Sequence, residues 1–336
     1  MSVPRCWLLS EGYAGLQAQG LGLAEAAGLT PELRVLAPRA PWRFASARFW
    51  PSPLAPVAAS LAPPLPDVAI TCGGMGAVVG AALRARGERP GGAQSGGAEA
   101  GGRLPDGVRP NGIRVVQVQH PRMDPRRFDV VVVNRHDRLT GPNVIVTRTA
   151  LHRVTQARLA TAADAWRGVF AALPRPLVAV LVGGSNGRHR LDPAVGQMLA
   201  AKLAAMMDSD RVGLMLTPSR RTAPAVTGAL ADALIPRGAF VWDGSGVNPY
   251  FGMLALADAV VATEDSVSMV SEAVATSAPV LLAELPGRSR RIGQFTEGLL
   301  ADGRVRRFTG RMEMWPAEPL DDTAEAGAEV RRRLGL

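Results

Sequence analysis

Apolar residues along this chain gather in short unbroken blocks, each closed by a polar or glycine-rich turn and followed by a longer stretch at helical spacing. Blocks at residues 6–9, 33–36, 67–72, 113–119, 129–133 and 143–147 fill the first half, with helical patterns over about residues 11–27, 73–86 and 151–173. A run that stays apolar without alternating predicts a strand covered on both faces, as in a parallel sheet. Leu173-Pro-Arg-Pro176 then interrupts the chain with two prolines, which is a domain-boundary signal. Beyond it the alternation restarts, with blocks at residues 177–182, 212–216, 239–241, 259–262 and 280–283. The fold class this predicts is α/β, with two Rossmann-like open parallel-sheet domains, residues 1–174 and 175–336, facing a central cleft. The last helical pattern, residues 323–334, is arginine-rich and is positioned to fold back across the hinge.

The block at residues 259–262 organises the second half. It runs into Glu264 and Asp265, and the following residues read as the first turn of a helix with Asp265 or Ser266 available as N-cap. A strand, a tight polar turn and a helix start leave unpaired N–H groups and the positive end of a helix dipole beyond the strand's carboxyl edge, where a diphosphate is favoured. Ser268 and Glu272, four residues apart, share one helix face, while Val267, Val270 and Val274 form the apolar stripe. Serines at the helix start can therefore meet phosphates while Glu272, one turn deeper, reaches the hydroxyls of a ribose. The other exits of this half repeat the chemistry: Gly183-Gly184-Ser185 after one strand, and Thr217-Pro218-Ser219-Arg220-Arg221-Thr222 after the next.

In the first half, Cys72-Gly73-Gly74-Met75-Gly76 follows a strand, but the third glycine falls one residue late for a dinucleotide fingerprint and no acidic ribose ligand stands at the expected distance. It reads as a cleft-facing turn. Three later blocks deliver histidine or arginine to their carboxyl ends: His120-Pro121-Arg122, Asn134-Arg135-His136-Asp137 and Arg148-Thr149-Ala150-Leu151-His152. His120, His136 and Asp137 are the candidates for a general base near neutral pH. Residues 87–107 form a low-complexity insertion that reads as a disordered surface loop. The segment from Trp42 to Trp50 mixes aromatics with arginines; as a helix its aromatics could lie on an anionic membrane surface, and as a loop they pack on their own domain.

The formal charge of +9 points to an anionic partner, yet Lys202 is the one lysine. A skew of that kind, beside abundant Ala, Gly and Pro, reads as coding bias, and nucleic acid is not expected as a partner. Cys6 and Cys72 each adjoin an apolar block without metal-ligand spacing, which predicts buried reduced thiols, no metal site and a cytoplasmic setting. The apolar run at the N-terminus is too short for a signal peptide. No apolar run approaches the ~20 residues needed to cross a bilayer, so membrane contact is expected only as a peripheral one, at the inner face of the cytoplasmic membrane. Asp208-Ser209-Asp210 has the form of a metal-bound sugar-nucleotide motif, but it precedes a strand and so falls at the amino edge of the sheet, in a loop that ends a helix.

Gly183-Gly184-Ser185, residues 217–222, Trp242-Asp243-Gly244, Asn248-Pro249-Tyr250 and residues 263–273 together resemble the mitochondrial fission (elongated mitochondria) family. The likeness extends through Gly15, Gln19, Gln119-His120-Pro121 and residues 129–136, and covers most of the chain outside the insertion. It implies a GT-B glycosyltransferase-like fold, whose C-terminal domain holds a nucleotide sugar. On that resemblance Ser185, Ser266 and Ser268 lie near the diphosphate and Glu272 on the ribose, with Arg220 and Arg221 as charge partners of the leaving diphosphate. A metal-independent GT-B site must stabilise that diphosphate with protein groups alone. The expected functions are sugar transfer from a nucleotide-diphosphate sugar to an acceptor, epimerisation of such a sugar nucleotide, or a non-catalytic role as a peripheral membrane or division-related factor. The nucleotide sugar enters as substrate, and no further cofactor is expected.

Overall fold

The structure, a computed structural model, describes residues 4–87 and 112–336. All but the first residue of the predicted insertion at residues 87–107 lie outside the described residues. The chain divides into two compact units, one of Met1–Arg153 with Asp322–Leu336 and one of Val154–Asp321.

The strands of the first unit are β1 (Cys6–Ser10), β2 (Pro31–Val35), β3 (Val68–Cys72), β4 (Arg114–Val118), β5 (Val130–Asn134) and β6 (Val144–Thr147), with helix α1 (Ala14–Ala26) after β1 and α2 (Gly73–Gly87) after β3. They form one parallel sheet in the order β2-β1-β3-β4-β5-β6. Every residue of β1, β3 and β5 is buried, as unalternating apolar runs require when helices cover both faces of a sheet. The strand order turns back between β1 and β3, so the exits of those two strands mark the switch point of this sheet.

The second unit begins with α3 (Gln156–Phe170) and continues through β7 (Leu177–Val182), α4 (Pro193–Asp210), β8 (Gly213–Pro218), α5 (Pro224–Leu234), β9 (Phe240–Val241), α6 (Tyr250–Leu256), β10 (Ala259–Thr263), α7 (Val267–Val274), β11 (Val280–Ala283), α8 (Arg290–Ala301) and β12 (Val305–Arg307). Its parallel sheet runs β12-β11-β10-β7-β8-β9, with the switch point between β7 and β10. The final helix, α9 (Thr323–Leu334), belongs to the first unit.

The two six-stranded sheets bear out the α/β class, and two details differ from the sequence reading. The strand series of the second half does not close at β11: β12 adds an edge, and its sequence, Val-Arg-Arg, is too short and too polar to stand out as an apolar block. The break between compact units falls at residue 154 and not near Pro176. Helix α3 stays with the second unit because Gly252 of α6 leaves room for Trp166, whose Cγ would lie 2.5 Å from a Cβ at that position. Phe170 then meets Phe240 edge-on at 5.1 Å between ring centres. Helix α9 packs on α1 through Gly327, where a Cβ would come within 2.4 Å of Ala26 Cβ, and the Asp322 carboxylate holds the Arg148 guanidinium, Nε to Oδ1 3.0 Å.

The Trp42–Trp50 segment forms two short 3-10 turns, Trp42–Phe44 and Ala47–Phe49. Trp50 is 5% exposed and packs with Trp7, Leu36 and Val57, with Trp42 against the same cluster. Its indole N–H donates to the carbonyls of Trp42 and Ala45 at 3.2 and 3.3 Å. The tryptophans are thus core residues, and Phe44 and Phe49 are the aromatic side chains this segment exposes. Cys6 and Cys72 are free and buried, each thiol pushed up to about 12 by burial. No helix among the described residues is long and apolar enough to cross a membrane.

Candidate functional site

Strand β10 delivers Thr263, Glu264 and Asp265 to its carboxyl edge, and Ser266 begins α7 as its N-cap, its hydroxyl accepting from the Met269 N–H. Of the two residues the sequence offered as N-cap, Ser266 takes the position because Asp265 is engaged elsewhere. The Asp265 side chain is fully enclosed, and its carboxylate accepts from the Thr263 hydroxyl at 2.7 Å, the Gly184 N–H at 3.0 Å and Arg221 Nη2 at 3.0 Å. Three strand exits that the sheet order makes neighbours, those of β10, β7 and β8, are stitched together by this one acid. Gly183 is obligatory at the junction, since a Cβ there would stand 2.3 Å from Asp265 Oδ1.

The same wiring engages other residues proposed to face a ligand. Ser185 closes its own loop, accepting from the Leu191 N–H at 2.9 Å. Ser219 Oγ accepts from the Arg221 N–H at 3.2 Å and lies 3.1 Å from the Thr222 hydroxyl. Arg221 also donates to the Gly184 carbonyl at 2.8 Å. In this conformation the polar groups of Asp265, Ser185, Ser219, Gly184 and Arg221, the residues expected at the ligand, hold the turns in shape.

What remains open lies on α7 and beside it. The N–H groups of Val267 and Ser268 take no partner among the described residues, and neither does the Ser268 hydroxyl or the Arg220 guanidinium. Glu272 is half-buried. The Tyr250 hydroxyl donates to its Oε2, while Oε1 accepts nothing from the described residues. Burial pushes the Glu272 carboxyl up to about 7, partly offset by the Tyr250 hydrogen bond, and burial next to Glu272 pushes the Tyr250 phenol well above its usual value. No local pattern announces this pair, because its members stand on different helices, 22 residues apart. The other acid of the turn, Glu264, accepts from the Leu285 N–H at 3.1 Å and pairs with Arg307 at 3.4 Å.

Asn186 was not singled out in the sequence, yet it anchors the glycine-rich loop after β7. Its amide donates to the Asp265 carbonyl at 3.2 Å, and its Oδ1 accepts from the backbone N–H groups of Arg188 and His189 at 3.1 and 2.9 Å. The type of residue was the available signal, since short amides favour such turns.

The base candidates stand at strand exits of the first unit. His120 Nδ1 accepts from the Arg122 N–H at 2.9 Å, leaving Nε2 for acid–base work. His136 Nε2 lies 3.8 Å from Asp137 Oδ1, with side chains 6% and 5% exposed; a base must be reached by the proton it takes, and neither group is open in this conformation. The first unit's glycine turn carries an acid of its own: Glu11, at the exit of β1, accepts from the Met75 N–H in the first turn of α2 at 3.0 Å. Asp208 and Asp210 lie in the last turn of α4 rather than in a loop, Asp210 holding Arg311 Nε and the Met312 N–H, each at 2.7 Å. Among the described residues no group of three or more His, Cys, Asp or Glu side chains could hold a metal ion.

Two parallel α/β sheets with polar exits at their switch points define the GT-B class of glycosyltransferase-like folds. The solved UDP-GlcNAc 2-epimerase of Neisseria meningitidis matches with TM-score 0.54 at 10% identity, over 98% of this chain and 91% of that one. The glycosyltransferase SnogD of Streptomyces nogalater matches with TM-score 0.50 at 14% identity, over 100% and 95%. Likenesses at this identity establish the fold. The family model described as mitochondrial fission ELM1 matches residues 14–93 and 103–334, and the chain belongs to that family. The Arabidopsis thaliana mitochondrial fission protein ELM1 is 36% identical over 249 residues, which cover 66% of this chain and 58% of that protein. An uncharacterized Rickettsia prowazekii protein is 24% identical over 170 residues, 48% of each. The chain thus spans about half the length of the curated relatives it matches.

Proposed function

We propose that the second unit binds a nucleotide-diphosphate sugar, the diphosphate against the first turn of α7 with Ser268 and Arg220, and the ribose hydroxyls on Glu272. The observation that carries this reading is the open start of α7 at the β7/β10 switch point, with one oxygen of a half-buried carboxyl unclaimed one turn further in. Open α/β sheets bind ligands outside the carboxyl ends of their strands at such a point, and a helix start accepts phosphate through its free N–H groups. Two solved proteins of like fold, the N. meningitidis epimerase and that of Methanocaldococcus jannaschii, are complexes with UDP-GlcNAc. The reaction we favour is sugar transfer to an acceptor, with His120, whose Nε2 is available, as general base; epimerisation of the same donor is told apart by product analysis without acceptor.

Calorimetry with UDP, GDP and their sugars tests the binding step. A folded sample should bind at least one of them, and Ser268→Ala with Glu272→Gln should weaken that binding about 10- to 100-fold, the loss expected from one or two hydrogen bonds to charged groups. Absence of binding to every one ends the reading. A second reading, a peripheral membrane factor without turnover, draws on Phe44 and Phe49, 78% and 69% exposed, with Arg43 and Arg48 stacked on them at 4.6 and 4.9 Å. Flotation with anionic vesicles tests it through Phe44→Ser and Phe49→Ser, since the tryptophans serve the core.

A further inference from the structure

The first unit holds a concentration of positive charge that the nucleotide reading does not use. A cavity of about 660 Å³ opens beside the 3-10 turn Ala47–Phe49, the middle of α2 and the segment after β4, and Arg48, Arg84, Arg122, Arg126 and Arg127 line it together with Trp50. Arg84 is neutralised by Asp129, Nε to Oδ1 3.0 Å. The other four guanidinium groups have no carboxylate partner among the described residues. Asp124, in the same segment, spends its carboxylate on the Arg126 backbone N–H at 2.9 Å, capping the turn that presents Arg126 and Arg127.

The backbone is held to this arrangement against its own preference. Arg122 sits at φ +56 and Gln119 at φ +72, a left-handed conformation that non-glycine residues disfavour. His120 Nδ1 fixes the turn by accepting from the Arg122 N–H at 2.9 Å. Strain of this kind persists where surrounding structure overrides it and gathers at ligand sites. Four uncompensated like charges around one cavity repel one another until an anion enters. Arginine's planar fork matches phosphate oxygens in pairs, and the cavity volume is that of a small-molecule site.

The geometry points to a phosphate-binding site in this cavity, taking a molecule that carries a phosphate or diphosphate group. The source is either a soluble metabolite or the headgroup of an anionic lipid, whose chains would meet the exposed rings of Phe44 and Phe49 on the neighbouring turns. The inference stands apart from the nucleotide reading, because every lining residue belongs to the first unit.

The full chain is titrated with inorganic pyrophosphate by calorimetry and floated with phosphatidylcholine vesicles with and without phosphatidylglycerol. The probe variant is Arg122→Ala/Arg126→Ala/Arg127→Ala, three exposed side chains, with folding checked by circular dichroism. The control is Ser268→Ala/Arg220→Ala, which removes the side chains proposed to hold a diphosphate at α7. Wild type and control should bind at least one probe, and the triple variant should lose at least tenfold of that affinity. Pyrophosphate binding without vesicle binding identifies a soluble source; vesicle binding that needs phosphatidylglycerol and falls in Phe44→Ser/Phe49→Ser identifies the lipid. Binding of neither probe by the control, or equal binding by the triple variant, overturns the site.

Discussion

The switch points of the two sheets carry the same parts and use them in opposite directions. In the first unit Glu11, at the exit of β1, reaches across to α2 and fills the first turn of that helix with a carboxylate of the protein's own. In the second unit Asp265, at the exit of β10, turns away from the helix it precedes and binds the Gly184 N–H beyond β7. One mouth is occupied from within and the other is left open, with Ser266 as cap and two N–H groups free. The comparison teaches that a glycine or serine turn at a helix start does not by itself make an anion site. What decides is where the neighbouring acid goes.

The comparison is tested hardest at Gly183. Gly183→Ala places a methyl group 2.3 Å from Asp265 Oδ1, so the carboxylate must leave Gly184 and Arg221. Overpacking of that kind costs about 3 kcal/mol, read as a lowered denaturation midpoint with loss of nucleotide binding. An unchanged midpoint would mean that Asp265 is not what keeps the second mouth open.

Glu272 gives a test of comparable size through pH. Its carboxyl is raised to about 7 in the folded state, so folding favours the protonated form. The stability it contributes is fully present below its unfolded value of about 4.5 and is lost as pH rises through about 7, by up to about 3 kcal/mol. Urea midpoints of wild type should fall across that window while those of Glu272→Gln change less. Ribose hydroxyls donate best to the ionised carboxylate, so nucleotide affinity should rise over the same window. Tyr250→Phe removes the hydrogen bond that lowers this group, and the transition should move to higher pH.

The smallest effect is expected at the closed mouth. Glu11→Ala uncovers the first turn of α2 and should cost about 1 kcal/mol, the usual worth of a carboxylate at a helix start. Added sulfate should restore part of that loss in the variant and little in wild type. A sulfate response equal in both would remove the contrast between the two units.

Much of the architecture was legible because it is local. Eleven of the strands declare themselves as apolar blocks, whereas β12, with one apolar residue of three, owes its place to pairing with β11. Ser266 as N-cap and the place of Glu272 inside α7 were readable from helical spacing. The engagement of Asp265, Gly184 and Arg221 with one another was not, since these residues are distant in sequence and meet only because the sheet order sets β10, β7 and β8 side by side. Trp42 and Trp50 look alike in sequence to Phe44 and Phe49, and their separation into core and surface follows from the 3-10 turns that carry them.

The sequence by itself determined the two α/β halves, the strand exits and the residue types that line them, because periodicity and capping act over a few residues. The tertiary structure alone decided which exits became neighbours, which carboxylate closed a helix start and which left one open, and where four arginines gather without an acid among the described residues. Those outcomes depend on pairings between strands far apart in the chain, and no local pattern encodes them.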